Sequence, residues 1–138
     1  MLPSITMPAA ATILIVDDYP DALDVWDLYL RASGFDVLRA EDGPSALQCA
    51  TEQLPDLVVM DLELPGLSGC EVAKALRDGE ATRHIPLIAS TGHSLPAKLD
   101  EARRSGFDLV LIKPCDPAEL VEQIRKHLPP RVSGSTAG

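Results

Sequence analysis

The chain has 138 residues, 46% of them hydrophobic and 24% charged, which fits one globular domain large enough to enclose a core. Its formal net charge of -9 disfavours contact with the phosphate backbone of nucleic acid, so no direct nucleic-acid binding is expected. It contains no apolar stretch near the roughly 20 residues of a membrane span and no basic, apolar leader, so we predict no membrane contact and a cytoplasmic location.

The first half of the chain alternates short apolar runs with longer amphipathic segments. Residues 13–16 form a continuous apolar run that predicts a first strand, and residues 20–33 place apolar side chains on one face of a first helix. Gly34 then supplies the end of this helix. The alternating run at 35–38 predicts an edge strand, and the proline that opens 44–53 suits the first turn of a second helix.

The second half of the chain continues this alternation. Three further apolar runs predict strands at 57–60, 86–89 and 109–112. Three further segments predict helices at 68–77, 95–105 and 117–128. Five short apolar strands alternating with five helices indicate an α/β fold. We predict a doubly wound, five-stranded parallel sheet in the flavodoxin-like order 2-1-3-4-5, with helices on both faces.

The two ends of the chain differ in composition from its body. Residues 1–11 are rich in Ala and Pro, and residues 129–138 (PPRVSGSTAG) are small, polar and led by proline. Such segments bury too little apolar surface to offset the entropy of ordering. We therefore predict one domain over residues 12–128, with disordered tails at 1–11 and 129–138.

Polar residues follow the predicted strands at the points where the strands end. Asp17 and Asp18 follow the first strand, Asp61 follows the third, Thr91 the fourth and Lys113 the fifth. Ligands of doubly wound sheets bind outside the carboxyl ends of the strands, where the strand order reverses. In the order 2-1-3-4-5 that point lies between strands one and three, so we expect the three aspartates to converge there.

The chemistry of these side chains points to phosphoryl transfer. Three carboxylates in one crevice repel one another unless they hold a cation, and hard oxygen ligands suit Mg²⁺. Lys113 is a compact positive charge suited to a phosphate oxygen, and Thr91 offers a hydroxyl. A carboxylate nucleophile, a metal, a lysine and a hydroxyl together describe phosphoryl transfer to Asp61.

Four segments carry a resemblance to a known family. They are residues 13–18 (ILIVDD), 56–69 (DLVVMDLELPGLSG), 85–92 (IPLIASTG) and 106–114 (GFDLVLIKP). Together they resemble the receiver domain of two-component response regulators, over about residues 12–128. The resemblance implies that Asp61 is the phosphoacceptor. It further implies a Mg²⁺ site with Asp18 as a direct ligand, Asp17 acting largely through water, and the backbone carbonyl of Glu63 as a further ligand.

The resemblance also assigns the residues that respond to phosphorylation. Thr91 would be the switch hydroxyl and Lys113 the phosphate partner, with a cis peptide between Lys113 and Pro114. The family often has Tyr or Phe three residues before the lysine, where this chain has Val110. An aliphatic side chain cannot make the inward rotation of that aromatic ring, so the usual relay from phosphate to output surface is expected to differ here.

The resemblance implies protein partners and a signalling role rather than a turnover enzyme. The phosphodonor would be a phosphohistidine on a sensor histidine kinase or a histidine phosphotransfer protein, and the output would be contact with a downstream protein. The donor would dock on the first helix and the loop after strand five, flanked by Tyr19, Pro20 and Cys115. Glu63 and His93 would flank the mouth of the pocket, where we predict that they tune the lifetime of the acyl phosphate.

Two other functions fit parts of the pattern. One is a small aspartyl-phosphate hydrolase, because Asp61 and Glu63 have the spacing of the nucleophile and acid in such enzymes. Those enzymes usually carry the nucleophile on the first strand and the acidic pair late in the chain, which is the reverse of the order here. The other is a phosphorylation-independent interaction module with a receiver fold. Val110, in place of the usual relay aromatic, is compatible with that function. The complete set of acidic residues, together with Thr91 and Lys113, argues against it.

Overall fold

The computed structural model describes residues 10–129, which form five strands and five helices in alternation. The strands are β1 (Thr12–Val16), β2 (Asp36–Ala40), β3 (Leu57–Asp61), β4 (Leu87–Thr91) and β5 (Leu109–Ile112). The helices are α1 (Pro20–Ala32), α2 (Gly43–Gln53), α3 (Gly69–Asp78), α4 (Pro96–Ser105) and α5 (Pro117–His127). Each predicted element is present, and its bounds differ from the prediction by at most two residues at either end.

The strands form one parallel sheet in the order β2-β1-β3-β4-β5. This order confirms the predicted doubly wound fold, with β2 at one edge and β5 at the other. The apolar runs explain the arrangement, because β3 and β4 are buried along their whole length and therefore have to be covered on both faces. The order reverses at β1 and β3, where the carboxyl ends of these two central strands leave a crevice.

Each face of the sheet has its own hydrophobic core, because alternate side chains of a strand point to opposite faces. One core lies under α2, α3 and α4, and its strand residues include Leu14, Val16, Val58, Met60, Leu87 and Ala89. The other lies under α1 and α5, and its strand residues include Ile13, Ile15, Leu57, Val59 and Ile88. Helices on both faces follow directly from this alternation.

The start of α3 holds the loop that follows β3 in place. Ser68 Oγ accepts a hydrogen bond from the Glu71 amide at 3.2 Å, and Glu71 Oε1 accepts one from the Ser68 amide at 2.9 Å. This reciprocal capping box satisfies two amides that the first helical turn would leave unpaired. The short loop 62–68 is therefore anchored at one end by β3 and at the other by a capped helix.

The predicted tails lie almost entirely outside the described residues. At the N-terminal border Ala11 is buried, and its carbonyl accepts a hydrogen bond of 2.9 Å from the Asp36 amide. The longest helix is α1, with 13 residues. Within residues 10–129 no helix is long and apolar enough to cross a bilayer.

Candidate functional site

Three aspartates meet at the carboxyl ends of β1 and β3. Asp17 directly follows β1, Asp61 ends β3, and the two strands are neighbours with Val16 level with Met60. Asp17 is 5% exposed and Asp61 is 7% exposed, whereas Asp18 is exposed to solvent. One carboxylate oxygen of each aspartate lies within 4.8 Å of the others. The convergence expected from the order of the strands is therefore present.

Lys113 joins the two buried carboxylates. Its Nζ atom lies 2.8 Å from Asp61 Oδ2 and 3.0 Å from Asp17 Oδ2. Burial lowers the pKa of the Lys113 ammonium, but hydrogen bonds with Asp61 and Asp17 outweigh this effect and hold the pKa above its ordinary value of 10.5. The lysine is therefore charged at neutral pH. The peptide bond between Lys113 and Pro114 is cis, as the family resemblance implied.

Backbone amides fix the remaining oxygens of the two buried aspartates. Asp17 Oδ1 accepts a hydrogen bond of 3.0 Å from the Tyr19 amide, and Asp61 Oδ1 accepts one of 2.9 Å from the Glu63 amide. Each carboxylate thus binds the backbone two residues further along, in the turn that leaves its own strand. Both side chains are held in one orientation before any ligand binds.

The donor set fits a hard divalent cation. Three carboxylates are matched by the single ammonium of Lys113, so the cluster keeps a net negative charge that a cation would neutralise. Mg²⁺ is bound in proteins by one or two carboxylates together with waters and phosphate oxygens. Asp18 is exposed and can turn toward such an ion without losing a hydrogen bond in the described structure. The acidic cluster is therefore a suitable cation site.

Thr91 stands at the same edge of the sheet, but its hydroxyl does not contact the aspartates. It ends β4 with 0% exposure, and its Oγ1 atom accepts a hydrogen bond of 3.1 Å from the His93 amide. Among the hydrogen bonds of residues 10–129, none joins this hydroxyl to Asp61. The side chain of His93 instead reaches across to Glu63, with Nε2 2.6 Å from Oε2. Both predicted flanking residues therefore contact each other beside the pocket.

A groove of about 710 Å³ opens next to the aspartates, between α1 and the loop that leads into α5. Asp61 and Lys113 lie at one end of it, and Tyr19, Trp26 and Cys115 line its apolar part. Burial, followed by the charges of Glu119 and Asp116, raises the pKa of the Cys115 thiol, so the thiol is protonated and contributes apolar surface. This is the surface on which the family resemblance implied that a phosphodonor would dock.

Gly69 keeps the end of β3 in place, and its replacement gives a testable prediction. A Cβ atom at Gly69 would lie 2.5 Å from the carbonyl oxygen of Asp61 and 2.8 Å from the Cα atom of Leu62. We expect Gly69→Ala to lower the free energy of unfolding in urea by about 1–3 kcal/mol, since the strand end has to move. Gly92→Ala is the control, because nothing lies within 4 Å of its Cβ position. Equal stability of the two variants would contradict this account.

Ser90, which precedes Thr91 in β4, is not among the predicted site residues. Its hydroxyl is buried and has no hydrogen-bond partner among residues 10–129. Its Cα pairs with that of Asp61 in the β3–β4 register. In the sequence Ser90 is only a polar residue directly after an apolar run, and its position beside Asp61 depends on a register that the sequence does not reveal.

A family model for the response regulator receiver domain matches residues 13–125. The chain belongs to the response regulator receiver family. The polar-differentiation response regulator DivK of Brucella ovis is 35% identical over 117 residues, covering 85% of this chain and 95% of DivK. Receiver domains of this kind are signalling modules of two-component systems, and neither the hydrolase nor the phosphorylation-independent module is favoured.

Solved receiver structures share the fold of this receiver domain. The chemotaxis response regulator CheY4 of Vibrio cholerae is 28% identical, with a TM-score of 0.82, and the match covers 87% of this chain and 100% of that one. The receiver domain of the sensor histidine kinase PA1611 of Pseudomonas aeruginosa is 32% identical, with a TM-score of 0.80, covering 86% of this chain and 98% of that one. That structure has a magnesium ion coordinated in its active-site cleft.

Proposed function

We propose that this receiver domain accepts a phosphoryl group from a phosphohistidine onto the carboxylate of Asp61. The observation that carries the proposal is a buried carboxylate held between Lys113 and the Glu63 amide, within reach of the carboxylates of Asp17 and Asp18. The arrangement supplies an oriented nucleophile together with positive charge where phosphoryl oxygens would lie.

The transfer balances without any further reactant. An Asp61 oxygen attacks phosphorus, the new P–O bond forms, and the P–N bond of the phosphohistidine breaks. The departing imidazole keeps the electron pair of that bond and takes up a proton from solvent water. Asp17, Asp18, Asp61 and the backbone carbonyl of Glu63 would hold Mg²⁺, which when bound supplies charge that offsets the negative phosphoryl oxygens.

Lys113 and Thr91 take separate parts in the phosphorylated state. Lys113 moves part of its hydrogen bonding from the two aspartates to a phosphoryl oxygen, which also carries negative charge. Thr91 exchanges the His93 amide for a phosphoryl oxygen, now acting as a donor. This exchange would alter the loop after β4, which is the first step of a readout to a downstream protein. Val110 packs against the core beneath α2, α3 and α4. The change at Thr91 is therefore not followed by the inward rotation of an aromatic ring at this position.

The proposed partners follow from the groove and from the family. A sensor histidine kinase or a histidine phosphotransfer protein would place its phosphohistidine against Asp61 while covering the apolar part of the groove. The output would be contact with a downstream protein in the cytoplasm, with no direct contact to nucleic acid. We further propose that residues 12–128 form the working domain, with 1–11 and 129–138 as tails, and that the protein does not turn over a separate substrate.

The test is phosphorylation by a small donor. The protein is incubated with acetyl phosphate and Mg²⁺, and its intact mass is recorded. We expect a gain of one phosphoryl group with Mg²⁺ and no gain after the metal is removed with a chelator, because the carboxylate cluster repels the donor when no cation offsets it. No gain under several phosphodonors in the presence of Mg²⁺ would reject the proposal.

The contact between Glu63 and His93 is expected to slow the loss of the phosphoryl group. The two side chains come from the loops after β3 and β4 and meet beside the pocket, where they restrict the approach of water. We expect Glu63→Gln and His93→Gln each to shorten the half-life of the acyl phosphate by about 2- to 5-fold, the range for one exposed polar contact. The double variant should lose the phosphoryl group little faster than the single ones, since each substitution weakens the same contact.

The control for this pair is His84→Gln, because His84 is exposed in the loop before β4. Dephosphorylation is followed by intact mass after the donor has been removed. Half-lives of both Gln variants equal to that of the unmodified protein would show that the contact has no part in the lifetime.

A further inference from the structure

Ser90 has a buried hydroxyl whose hydrogen-bonding capacity is unused in the described structure. The residue is 8% exposed, and its Oγ atom has no hydrogen-bond partner among residues 10–129. Buried polar groups are nearly always paired in folded proteins, because an unpaired one loses its hydration without compensation. A buried hydroxyl that is unpaired beside a functional site therefore suggests a hydrogen-bond acceptor that is present only when the site is occupied.

The strand register places Ser90 next to the phosphoacceptor. The Cα atoms of Asp61 and Ser90 are partners in the parallel pairing of β3 and β4, and the Leu62 amide donates to the Ser90 carbonyl at 3.2 Å. Partners on neighbouring strands project to the same face. Ile88 and Val59, each two residues earlier, both belong to the core beneath α1 and α5. The side chains of Ser90 and Asp61 thus lie side by side on that face.

Lys113 passes over the same position. It follows β5, yet its ammonium binds Asp61 at the end of β3, and β4 lies between these two strands. The lysine side chain therefore reaches past the end of β4, the strand that carries Ser90, to meet Asp61. Both Asp61 oxygens already accept hydrogen bonds, one from the Glu63 amide and one from Lys113. The unphosphorylated carboxylate thus has its donors without Ser90.

We infer that the Ser90 hydroxyl donates a hydrogen bond to the phosphorylated side chain of Asp61 and stays unpaired until that group forms. This inference rests on the proposed phosphorylation of Asp61. Transfer of the phosphoryl group adds three oxygens that share its negative charge. More hydrogen-bond donors can therefore bind at this position than before the transfer. Ser90 breaks and forms no covalent bond. It supplies a second hydroxyl from the Asp61 face of the sheet, whereas Thr91 supplies one from the opposite face.

The test uses Ser90→Ala and compares its stability with its affinity for a phosphoryl analogue. If Ser90 served only in packing, the substitution would lower both. The first is the free energy of unfolding without phosphodonor, which is expected to stay equal or rise, because an unpaired hydroxyl is removed. The second is the dissociation constant for beryllofluoride, a phosphoryl analogue, with Mg²⁺ present. It is expected to rise by at least about 10-fold, the typical effect of losing one hydrogen bond to a charged group. The half-life of the acyl phosphate should shorten in the same sense.

Two further variants separate the loss of the Ser90 hydroxyl from other effects of substituting a buried serine. Ser90→Cys keeps the shape of the side chain at a slightly larger volume but replaces the hydroxyl with a weak donor, so it should bind beryllofluoride as Ser90→Ala does. Ser105→Ala is the matched control, since Ser105 is 2% exposed but its hydroxyl donates to the Glu101 carbonyl at 2.8 Å. That variant should keep its affinity for beryllofluoride, because its hydroxyl belongs to α4 and not to the strand beside Asp61.

The outcomes separate this inference from the proposed function. If the unmodified protein is phosphorylated and binds beryllofluoride, but Ser90→Ala binds it equally well, the inference is overturned and the function of Asp61 stands. If Ser90→Ala loses stability without donor, the hydroxyl has a partner in the unphosphorylated protein and the inference is also overturned. If the unmodified protein gains no phosphoryl group and binds no beryllofluoride, both fail together.

Discussion

Asp61→Asn is expected to abolish phosphorylation by acetyl phosphate in the presence of Mg²⁺. The amide of asparagine keeps the shape of the side chain but is not a nucleophile toward phosphorus, and it carries no charge to hold a cation. Lys113 still has Asp17 as a partner, at 3.0 Å in the unmodified protein, so the variant should remain folded. Intact mass after incubation with the donor measures the result, and unfolding in urea checks the fold.

Asp42→Asn is the matched control for this substitution. Asp42 caps the start of α2 by accepting a hydrogen bond from the Ser45 amide at 2.7 Å, and it is not part of the aspartate cluster around the phosphoacceptor. Asparagine caps helices about as well as aspartate, so this variant should gain one phosphoryl group like the unmodified protein. A phosphoryl gain in Asp61→Asn equal to that of the control would place the acceptor elsewhere in the chain.

Lys113→Met is expected to destabilise the protein and to slow phosphorylation. Methionine has a similar length but no charge, so the buried carboxylates of Asp17 and Asp61 lose the cation between them. Breaking a fully buried pair costs roughly 3–5 kcal/mol, and we expect about 2–3 kcal/mol here. The smaller value follows because the lysine side chain is 33% exposed and partly screened by water.

The pKa of Lys113 predicts how this difference depends on pH. Because its folded pKa is raised above 10.5, its contribution to stability is fully present at neutral pH and is lost as the pH rises through the folded pKa. The difference between the variant and the unmodified protein should therefore be large at pH 7 and shrink in strongly alkaline solution. Urea unfolding across this range measures it.

Lys74→Met serves as the control for the lysine, since Lys74 is exposed on α3. Its stability should change little, as is usual for surface substitutions. Addition of Mg²⁺ should stabilise Lys113→Met more than the unmodified protein, because a bound cation then relieves a repulsion that the lysine no longer offsets. Equal stability of the two methionine variants at neutral pH would show that the lysine does not hold the aspartates together.

The sequence indicated the strands from apolar runs, but the runs ended too early where polar residues continue a strand. The run at 86–89 gave way to Ser90 and Thr91, yet β4 extends to Thr91. Both residues stay in the strand because their partners, Asp61 on β3 and Ile112 on β5, continue the ladder beside them. Hydrogen bonding between strands is a tertiary property, so a pattern of hydrophobicity along one strand cannot report where it ends.

Of the site, the sequence by itself determined which side chains stand at strand ends: Asp17 and Asp18, Asp61, Thr91 and Lys113. That follows from local pattern, because a parallel sheet brings all its strand ends to one edge. Only the tertiary structure decided which of them touch. The hydrogen bonds from Lys113 join residues 52 and 96 positions apart, Thr91 turns to the face opposite Asp61, and Ser90 comes to lie beside it. The physical reason is that the face and neighbours of a strand residue depend on register and strand order, which are set by packing between distant segments.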